Sequence, residues 1–537
     1  MYIVQSAYMK ATYIEYSETN SFSKTLLAYL AHDEALKPFV GHWPTFDGFE
    51  KQLHEKKHFD HRGILVERLK AQYATLLPGS PAVAKNIDLL LQENTYTITT
   101  GHQLNIFTGP LYFIFKIMTA IRLSEDLHAK HPDKNFVPVY WMATEDHDFE
   151  EINHTKVYGK KIAWEIPAVS ATGRMDTSSI VDAVKQYTNI LGLSDNSAKL
   201  TAIVEQAYLK HSRLADATRY MVNELFKAYG LLIIDADDKA LKELFKPIIK
   251  TDILSENSFK AITERSKELE SKGFSTQVHA REINFFYLTD EFRERLVLTA
   301  DGRYEVLHQN IYFTKEELEK EIDAHPERFS PNVVMRPVYQ EVILPNLAYI
   351  GGGAEMVYWM QLKSNFDQYK IDFPILIPRN SAMITEDNVA AKLFRVDLTF
   401  KSIFRPAEVL KKEYVRRHTK ERLNLNDEWM ELNAIFGKIR LRTHKIDPSL
   451  GPSTEAIKAR LKKAMNNLEK KLMKAEKRNH QHALADIDNV KEKLFPGGGL
   501  QERSENFALL YVKYGDNLFR DLYKYFNPLD FKFTILY

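Results

Sequence analysis

Short apolar segments alternate with longer segments of helical periodicity through the first part of the chain. Each apolar segment ends in a polar or glycine-rich loop, and the five segments are 95–100, 137–143, 231–234, 347–350 and 375–377. Buried strands that alternate with helices indicate a parallel sheet covered on both faces. Because the spacing is too wide for a minimal sheet of this kind, we expect insertions at about 155–215 and 275–335. The pattern therefore predicts an α/β core over residues 1–394.

From about residue 395 the pattern becomes that of long helices. Glycine nearly disappears, and apolar residues recur at spacings of three and four, as in a coiled coil. The recurring positions are Trp429, Leu432, Phe436 and Ile439, then Ile457, Leu461, Ala464, Leu468, Leu472 and Ala475, and finally Ile487, Val490 and Leu494. Proline and glycine between 447 and 452 separate two antiparallel helices. We predict an α-helical antiparallel coiled-coil domain over 395–495 that forms a homodimer, and a segment 496–537 that returns to the core.

Composition narrows the class of protein. The chain has 537 residues, with 73 Lys and Arg against 72 Asp and Glu, so its net charge is +1. Such a balance gives no long-range field for nucleic acid or anionic lipid. The N-terminal residues lack the pattern of a signal peptide, and no apolar run is long enough to span a bilayer. We therefore expect a soluble, cytoplasmic protein with no nucleic-acid or membrane partner. Since there is no cysteine, disulfides, thiolate metal sites and an enzyme thioester are excluded.

The loop after the first predicted strand is a candidate ligand site, because ligands bind beyond the carboxyl ends of strands in open α/β sheets. It runs from 101 to 109, and Pro110 is suited to the first position of the following helix. The amino end of that helix would favour an anion, while His102, Gln103 and Thr108 could add hydrogen bonds. An ordinary strand-to-helix turn capped by threonine explains the same residues equally well.

The loop after the second predicted strand is rich in acids and histidines. It reads EDHDFEEINH, and the residues singled out from it are Glu145, Asp146, His147, Asp148 and His154. Carboxylates beside imidazoles can bind a divalent metal or act as an acid/base pair near neutral pH. The alternative is a solvated acidic loop whose histidines are only hydrogen bonded. The position of this loop after an apolar strand favours a functional role, although its spacing matches no established metal motif.

Two later loops carry weaker signals. Arg379, Asn380 and Ser381 follow the last predicted strand, where they could bind an anion, and a structural salt bridge is the equal alternative. The glycines at 351–353 only loosely resemble a phosphate-binding loop, because neither glycine-rich nucleotide motif is complete. The acidic residues at 235–238 are interpreted mainly as a polar turn. The basic stretch 411–422 is interspersed with acids and is interpreted as a solvated helix face.

Five segments, in order and over nearly the whole chain, resemble the bacillithiol biosynthesis cysteine-adding enzyme family. They are TTGHQLNIFTGPLYFIFK, PVYWMATEDHDFEEINH, SPNVVMRPVYQEVILPNLAYIGGGAEMVYW, PILIPRNSAMI and LFPGGGLQERSENF. His102 stands where the family usually has glutamine, and Asn105 where it usually has glycine. The resemblance implies a Rossmann-like core with connecting-peptide insertions and a coiled-coil domain that mediates dimerisation. It also implies ligation of L-cysteine to the glucosamine nitrogen of glucosaminyl-malate, the last step of bacillithiol biosynthesis.

The resemblance also implies a bound nucleotide, seen in the family as ADP. We predict a nucleotide pocket formed by Arg379, Asn380 and Ser381 together with Arg503 of the later segment. Joining a carboxylate to an amine is uphill in water, so the cysteine carboxyl needs activation as an adenylate or acyl phosphate. ATP and Mg²⁺ are therefore possible cofactors. The competing function is a metal-dependent hydrolase or transferase that uses the loop from Glu145 to His154, and a non-catalytic dimeric scaffold is a third.

Overall fold

The computed structural model describes residues 9–167, 170–420 and 422–537. The chain forms two compact units. The first comprises the residues up to Ser17, Ser21–Met383 and Leu500–Leu536, and the second comprises Glu18–Asn20, Ile384–Gly499 and Tyr537. Among the described residues, no helix has both the length and the apolar character needed to cross a membrane.

The strands and helices are numbered in chain order. The strands are β1 (Ala11–Glu15), β2 (Thr95–His102), β3 (Asn135–Met142), β4 (His154–Val157), β5 (Lys160–Ala163), β6 (Leu232–Asp235), β7 (Phe285–Leu288), β8 (Arg293–Leu298), β9 (Tyr304–Val306), β10 (Ile311–Phe313), β11 (Phe329–Pro331), β12 (Asn346–Gly351), β13 (Ile375–Pro378), β14 (Ala382–Ile384) and β15 (Lys532–Leu536). The helices are α1 (Lys24–Leu30), α2 (Phe46–Glu55), α3 (Arg62–Gln72), α4 (Pro81–Leu89), α5 (Tyr112–Lys130), α6 (Phe149–Ile152), α7 (Val181–Leu191), α8 (Asp195–Lys210), α9 (Leu214–Phe226), α10 (Lys239–Ser255), α11 (Asn257–Ser271), α12 (Lys315–Ala324), α13 (Arg336–Ile343), α14 (Gly353–Tyr369), α15 (Asp387–Arg395), α16 (Ala407–His418), α17 (Asn426–Ile446), α18 (Gly451–Asn479), α19 (Gln481–Leu494), α20 (Ala508–Tyr514) and α21 (Asn517–Tyr525).

The core of the first unit is a parallel sheet built from the five predicted strands. Its order is β13-β12-β2-β3-β6, and every pairing is parallel. Counted along the chain from β2, this is the 3-2-1-4-5 arrangement of a doubly wound Rossmann-like sheet. The strands are buried on both faces because helices cover each side. The predicted fold class is confirmed.

The switch point of this sheet lies between β2 and β12, where the direction of winding reverses. The core beneath it is apolar, and its members are Phe49, Ile98, Ala120, Leu123, Leu127, Phe136, Leu347, Ala348, Ile350, Ile375 and Ile377. Side-chain hydrogen bonds join the central strands β2 and β12 inside this core. The Asn346 side-chain oxygen accepts hydrogen bonds from Thr97 (3.1 Å) and Thr99 (2.8 Å), so the buried hydroxyl groups are satisfied.

Additional elements interrupt the parallel sheet where the sequence predicts insertions. Within 155–215 lie most of the antiparallel pair β4–β5 and the helices α7 and α8. Within 275–335 lie an antiparallel sheet of order β10-β9-β8-β7-β11 and the helix α12. The second insertion supplies side chains to the candidate site, as described below.

The segment Leu500–Leu536 completes the first unit. Its strand β15 pairs antiparallel with β1, from Ala11–Leu536 to Glu15–Lys532. Its Asn506 amide donates to the carbonyl groups of Phe107 (2.8 Å) and Gly109 (2.7 Å). The prediction that Pro110 begins the first core helix is wrong. Helix α5 begins at Tyr112, without a side-chain cap, because the Leu111 amide donates to the carbonyl of Glu505 (2.7 Å).

The second unit consists of a small packed core and a long helical hairpin. Leu484, Ile487, Val490 and Leu494 of α19 are buried, and α15 and α16 pack on this helix. Helix α15 therefore belongs to the helical unit, which begins at Ile384 rather than at the predicted residue 395.

The hairpin pairs α17 with α18 in antiparallel orientation. The Arg440–Glu455 ion pair (3.3 Å) lies near its tip, and the hydrogen bond from the Leu425 amide to Glu469 (2.8 Å) lies near its base. Within a single chain the two helices bury almost no apolar side chain. Ile457 and Leu468 of the predicted seam are 54% and 48% exposed, so this apolar surface is uncovered in one copy of the chain.

Candidate active site

A cavity of about 810 Å³ opens at the carboxyl ends of β2, β3 and β12. It lies at the switch point, where doubly wound sheets bind their ligands. Gly101 and His102 contribute from the end of β2, the residues that follow β3 form a second wall, and Gly352 and Gly353 contribute from the end of β12. Its volume is that of a site for a small-molecule ligand or for two small substrates.

One end of the cavity contains a buried lysine. Lys116 of α5 donates to the Gly101 carbonyl (2.8 Å) and forms an ion pair with Glu355 (2.6 Å). The Glu355 carboxylate also accepts from the Tyr349 hydroxyl (2.8 Å) and the Gly352 amide (3.0 Å). Burial lowers the pKa of Lys116, while the adjacent Glu355 opposes that effect. Although burial acts to raise the pKa of Glu355, Lys116 and these donors hold it below its usual value, so the pair is ionised.

Arg336, the first residue of α13, lies at the same end of the cavity. Its guanidinium group is 5.5 Å from the ring centre of Trp141 and 5.6 Å from that of Tyr349. One nitrogen, Nη1, donates to Gln340 (3.0 Å). The other, Nη2, is buried and has no hydrogen-bond partner among the described residues. A buried guanidinium group with an unpaired donor is a binding group for a carboxylate or phosphate oxygen.

Arg379 and Arg503 add positive charge to this wall. Arg379 is buried, forms an ion pair with the fully buried Glu502 (2.6 Å) and lies 5.2 Å from the Tyr112 ring centre. Its Nε is buried and, among the described residues, unpaired. Arg503 is exposed at the rim. Lys116, Arg336, Arg379 and Arg503 are called the cationic end below.

The other two members of the predicted nucleotide pocket are placed differently. Asn380 does not line the cavity and is bonded to Thr119 through its amide (2.9 Å) and side chain (3.2 Å). Ser381 is buried and donates to Glu502 (3.1 Å). Both residues stabilise the strand end that carries Arg379. Asn380 and Ser381 therefore have a structural role, which was the alternative to anion binding. Arg379 has both a structural ion pair and access to the cavity.

His102 lines the cavity between the rings of Tyr112 and Phe113, at centroid distances of 5.4 and 5.2 Å. Its Nε2 is buried without a hydrogen-bond partner in the described part of the chain. Burial, together with the nearby charges of Lys116 and Arg379, holds the pKa of His102 well below its usual value. The ring is therefore neutral, and it can exchange hydrogen bonds with a ligand without adding a fifth positive charge.

The acidic loop after β3 forms another wall of the cavity, but Glu145 in it is already paired. Its Oε1 lies 2.5 Å from the Nζ of Lys242, a lysine of α10 that is fully buried. Lys242 also donates to the Phe329 carbonyl (3.1 Å). Burial raises the pKa of Glu145, while Lys242 opposes that effect. The contact fixes the loop to α10 and leaves Glu145 poorly placed as a free base.

Asp146 and Glu151 are the carboxylates that Gln103 brings together. The Gln103 side-chain nitrogen donates to both, at 2.8 Å to Asp146 and 2.9 Å to Glu151. All three residues line the cavity. The two loops predicted from the sequence thus converge through this amide, and they present two carboxylates to the same cavity as the cationic end.

His147 is held by a residue of the inserted antiparallel sheet. Its Nδ1 is 2.6 Å from Nη1 of Arg293, a buried arginine of β8, and its ring is 5.3 Å from that of Phe286. Burial, reinforced by the positive charge of Arg293, lowers the pKa of His147. The second insertion therefore determines how this histidine faces the cavity.

Thr108, Asp148 and His154 do not line this cavity. Thr108 borders a separate small pocket beside Tyr208, and His154 begins β4, where its ring bonds Asn153 (3.0 Å). The expectation that Thr108, Asp148 and His154 line the same cleft as His102, Gln103 and Glu145–His147 is therefore wrong. Within the described residues, no group of three or more histidine or acidic side chains is arranged to hold a metal ion.

Comparison with known proteins identifies the family. Residues 9–380 match the family model described as "Bacillithiol biosynthesis BshC, N-terminal Rossmann-like domain". Residues 382–537 match "Bacillithiol biosynthesis BshC, C-terminal coiled-coil domain". The chain belongs to the BshC family. Its two family domains meet at about the division between the two compact units.

Three relatives in the BshC family carry the name "Putative cysteine ligase BshC". The Flavobacterium psychrophilum protein is 42% identical over 97% of this chain and 98% of its own length. The Flavobacterium johnsoniae protein is 42% identical over 97% and 99%, and the Christiangramia forsetii protein is 41% identical over 98% and 99%. All three are named as ligases, and none is named as a hydrolase or transferase.

Several residues of the BshC-family cavity were not selected from the sequence. Lys116 interrupts an apolar run, and a lysine within a buried helix is almost always paired, so the sequence did contain a signal for this residue. Glu355, two positions after the glycines at 351–353, is its partner. Arg336 and Arg293 gave no local signal, because their side chains reach the cavity only through the tertiary arrangement.

Proposed function

We propose that the protein is a ligase that adds L-cysteine to the glucosamine amine of glucosaminyl-malate, which completes bacillithiol. The observation that carries the proposal is that one switch-point cavity is lined both by the cationic end and by the carboxylates of Asp146 and Glu151, which are called the carboxylate wall below. Glucosaminyl-malate has the matching charges, with two carboxylates on malate and an amine on the sugar. Membership of the BshC family over nearly the full chain supports the same assignment.

The cationic end is the proposed site for the malate carboxylates. Arg336 has a buried donor without a partner among the described residues, and aromatic rings restrict its guanidinium group. A carboxylate would satisfy that donor with a charge-assisted hydrogen bond. Lys116, although paired with Glu355, adds a second positive charge at this end.

The carboxylate wall is the proposed site for amino groups. Asp146 and Glu151 accept hydrogen bonds from one Gln103 nitrogen, which leaves each carboxylate with further acceptor sites. Ammonium groups of cysteine or the sugar would be attracted there, and a carboxylate can take the proton that the sugar nitrogen must lose before it attacks. The general base is therefore sought in this pair.

A nucleotide is the proposed source of activation for the cysteine carboxyl group. When bound, ATP supplies the leaving group that amide formation in water requires. Arg379 and Arg503 are candidates to hold its phosphates, since Arg379 has a buried unpaired Nε in the described structure and Arg503 is exposed at the rim. Mg²⁺ bound to a nucleotide needs only one or two protein carboxylates, so one member of the Asp146–Glu151 pair could hold it while the other remains the general base.

Dimerisation through the α17–α18 hairpin is part of the proposal. The uncovered apolar side chains of the two helices include Ile435, Ile439, Leu441, Ile457 and Leu468. A hairpin that buries so little within one chain is stabilised when a second copy covers this surface. The proposed biosynthetic reaction is an intracellular one, so we place the enzyme in the cytoplasm.

Reconstitution tests the function. The purified chain is incubated with L-cysteine, glucosaminyl-malate, ATP and Mg²⁺, and bacillithiol is measured by mass spectrometry. The Arg336→Gln variant should form much less product, while Arg295→Gln, which removes a positive charge outside the cavity, should be unaffected. In a bacillithiol-producing host, deletion of the gene should abolish the thiol and make glucosaminyl-malate accumulate. Normal bacillithiol in the deletion strain, without a second enzyme, would contradict the proposal.

A further inference from the structure

Arg293 is fixed in place by contacts on every edge of its guanidinium group. Its Nε donates to the Ser330 hydroxyl (3.0 Å), Nη2 to the Pro331 carbonyl (3.2 Å) and Nη1 to Nδ1 of His147 (2.6 Å). Its plane covers the Phe286 ring at 3.9 Å. The arginine is also buried, at 7% exposure, so it has little freedom to give up the contact with His147.

The chemistry of this contact determines where the imidazole carries its proton. A guanidinium group has five N–H donors and no acceptor, and it remains charged in proteins. The His147 nitrogen that faces Arg293 must therefore be an unprotonated acceptor. In a neutral imidazole the single proton then resides on the other nitrogen, Nε2. A second proton would place N–H against N–H and two positive charges within hydrogen-bond distance.

The other charges around His147 act in the opposite direction but lie farther away. Asp146 and Asp148 are on its own loop, and Glu294 is on β8 beside Arg293. The Asp146 carboxylate is 4.0 Å from Nδ1, compared with 2.6 Å for the arginine. The net effect is a pKa below the usual value, caused by burial and then by Arg293.

We infer that Arg293 is a positioning residue that holds His147 as the neutral Nε2–H tautomer, which makes His147 a hydrogen-bond donor to a ligand oxygen rather than a base. The ligand is of a definite chemical class, because Nε2–H can donate to a carbonyl, carboxylate or phosphoryl oxygen but cannot take a proton from an ammonium group. Only the identity of that oxygen rests on the proposed function. Of the acid/base roles predicted for His147, the role of a base is thereby excluded, and that of a hydrogen-bond donor is kept.

Nuclear magnetic resonance of the full chain labelled with ¹⁵N-histidine tests the tautomer without any substrate. The His147→Gln variant identifies the His147 signal among the 18 histidines by its disappearance. We expect a neutral ring with the proton on Nε2 at pH 7, and a titration that occurs below the ordinary value of about 6.5. In Arg293→Gln the titration should shift upward by about one unit or more, whereas Arg295→Gln on the same strand should leave it unchanged.

Three results would overturn the inference. They are a proton on Nδ1 in the parent chain, an imidazolium ring at pH 7, and a titration that does not move in Arg293→Gln. Should Arg293→Gln fail to fold, the protonation of the parent chain decides the question alone. None of these measurements depends on ligase activity, so their failure is distinguishable from failure of the proposed function.

Kinetics of variants provide a second test of the donor role. The His147→Gln side chain retains an N–H donor but cannot act as a base, so it should keep at least about ten times the kcat of His147→Ala. Equal loss in both variants would contradict donation. In Arg293→Gln the released imidazole would become protonated on Nδ1 at acidic pH but would keep its Nε2–H donor, so the rate should not fall toward acidic pH more than in the parent. A larger acidic fall in this variant would indicate that His147 acts as a base and would contradict donation.

Discussion

Replacing Glu341 by glutamine is expected to make the stability of the protein less dependent on pH. Glu341 lies on α13, the helix that begins with Arg336, and is 6% exposed. Its Oε1 accepts from Gln340 (2.9 Å) and from Asn346 (2.7 Å), the residue that joins β12 to β2. Its Oε2 is buried and, among the described residues, unpaired. A protonated carboxyl or an amide therefore fits this site better than a carboxylate.

The magnitude follows from the pKa shift. Burial raises the pKa of Glu341 from 4.5 to about 7, against an opposing contribution from Lys56. That difference, at 1.36 kcal/mol per unit, corresponds to about 3 kcal/mol. Because the pKa is raised in the folded state, this stability is fully present below the ordinary glutamate pKa and is lost as the pH rises through about 7. Glutamine has no such dependence.

Urea unfolding at pH 4.5 and at pH 8.5 measures this effect, with tryptophan fluorescence as the signal. Of the five tryptophans, all but Trp429 lie in the first unit, so the signal mainly reports that unit. The free energy of unfolding of Glu341→Gln minus that of the parent should be about 2–3 kcal/mol larger at pH 8.5 than at pH 4.5. The exposed Glu264→Gln variant is the control and should show no such rise. A Glu341→Gln difference that is equal at both pH values would refute the reasoning.

Three further predictions concern the site and the assembly. Arg336→Gln should raise the KM for glucosaminyl-malate about tenfold or more, because a charge-assisted hydrogen bond is lost. An unchanged KM in steady-state kinetics would show that Arg336 does not bind this substrate. Arg503→Ala should weaken ADP binding about tenfold in calorimetry, and Arg379→Lys, which keeps a cation beside Glu502, should also weaken ADP binding. An affinity like that of the parent in both variants would exclude these residues from the nucleotide site. Glutamates at Leu461 and Leu468 should give monomers in solution scattering, and an undisturbed dimer would contradict the assigned seam.

The sheet was predictable from the sequence because its signal is local. Each of the five parallel strands is a short, mainly apolar or β-branched run followed by a loop and a helical pattern, so its existence can be inferred without knowing its neighbours. The strand order could not be inferred in this way. The beginning of α5 could not be inferred either, since it depends on Asn506 and the Glu505 carbonyl, which lie nearly 400 positions along the chain.

The site was predictable only in part, for a related physical reason. Residues at strand ends, such as His102, Gln103 and His147, reach the cavity because the carboxyl ends of parallel strands share one edge of the sheet. Arg336 and Arg293 come from a helix terminus and an inserted sheet, so their approach depends on long-range packing. The same packing decides whether His147 is a hydrogen-bond donor or a base. The partner of its Nδ1 is 146 positions away, so the sequence around His147 could not show this.

The pairing of β1 with β15 and the contacts of the segment Leu500–Leu536 have a consequence for synthesis on the ribosome. Glu502 neutralises Arg379, and Asn506 holds the turn before α5, yet both are translated more than 100 residues after β13. A nascent chain that has already formed the five parallel strands still contains an uncompensated buried arginine and an unsupported turn. The cavity can therefore reach its final form only after the intervening helical unit has been made, so partly synthesised chains should not bind the substrates.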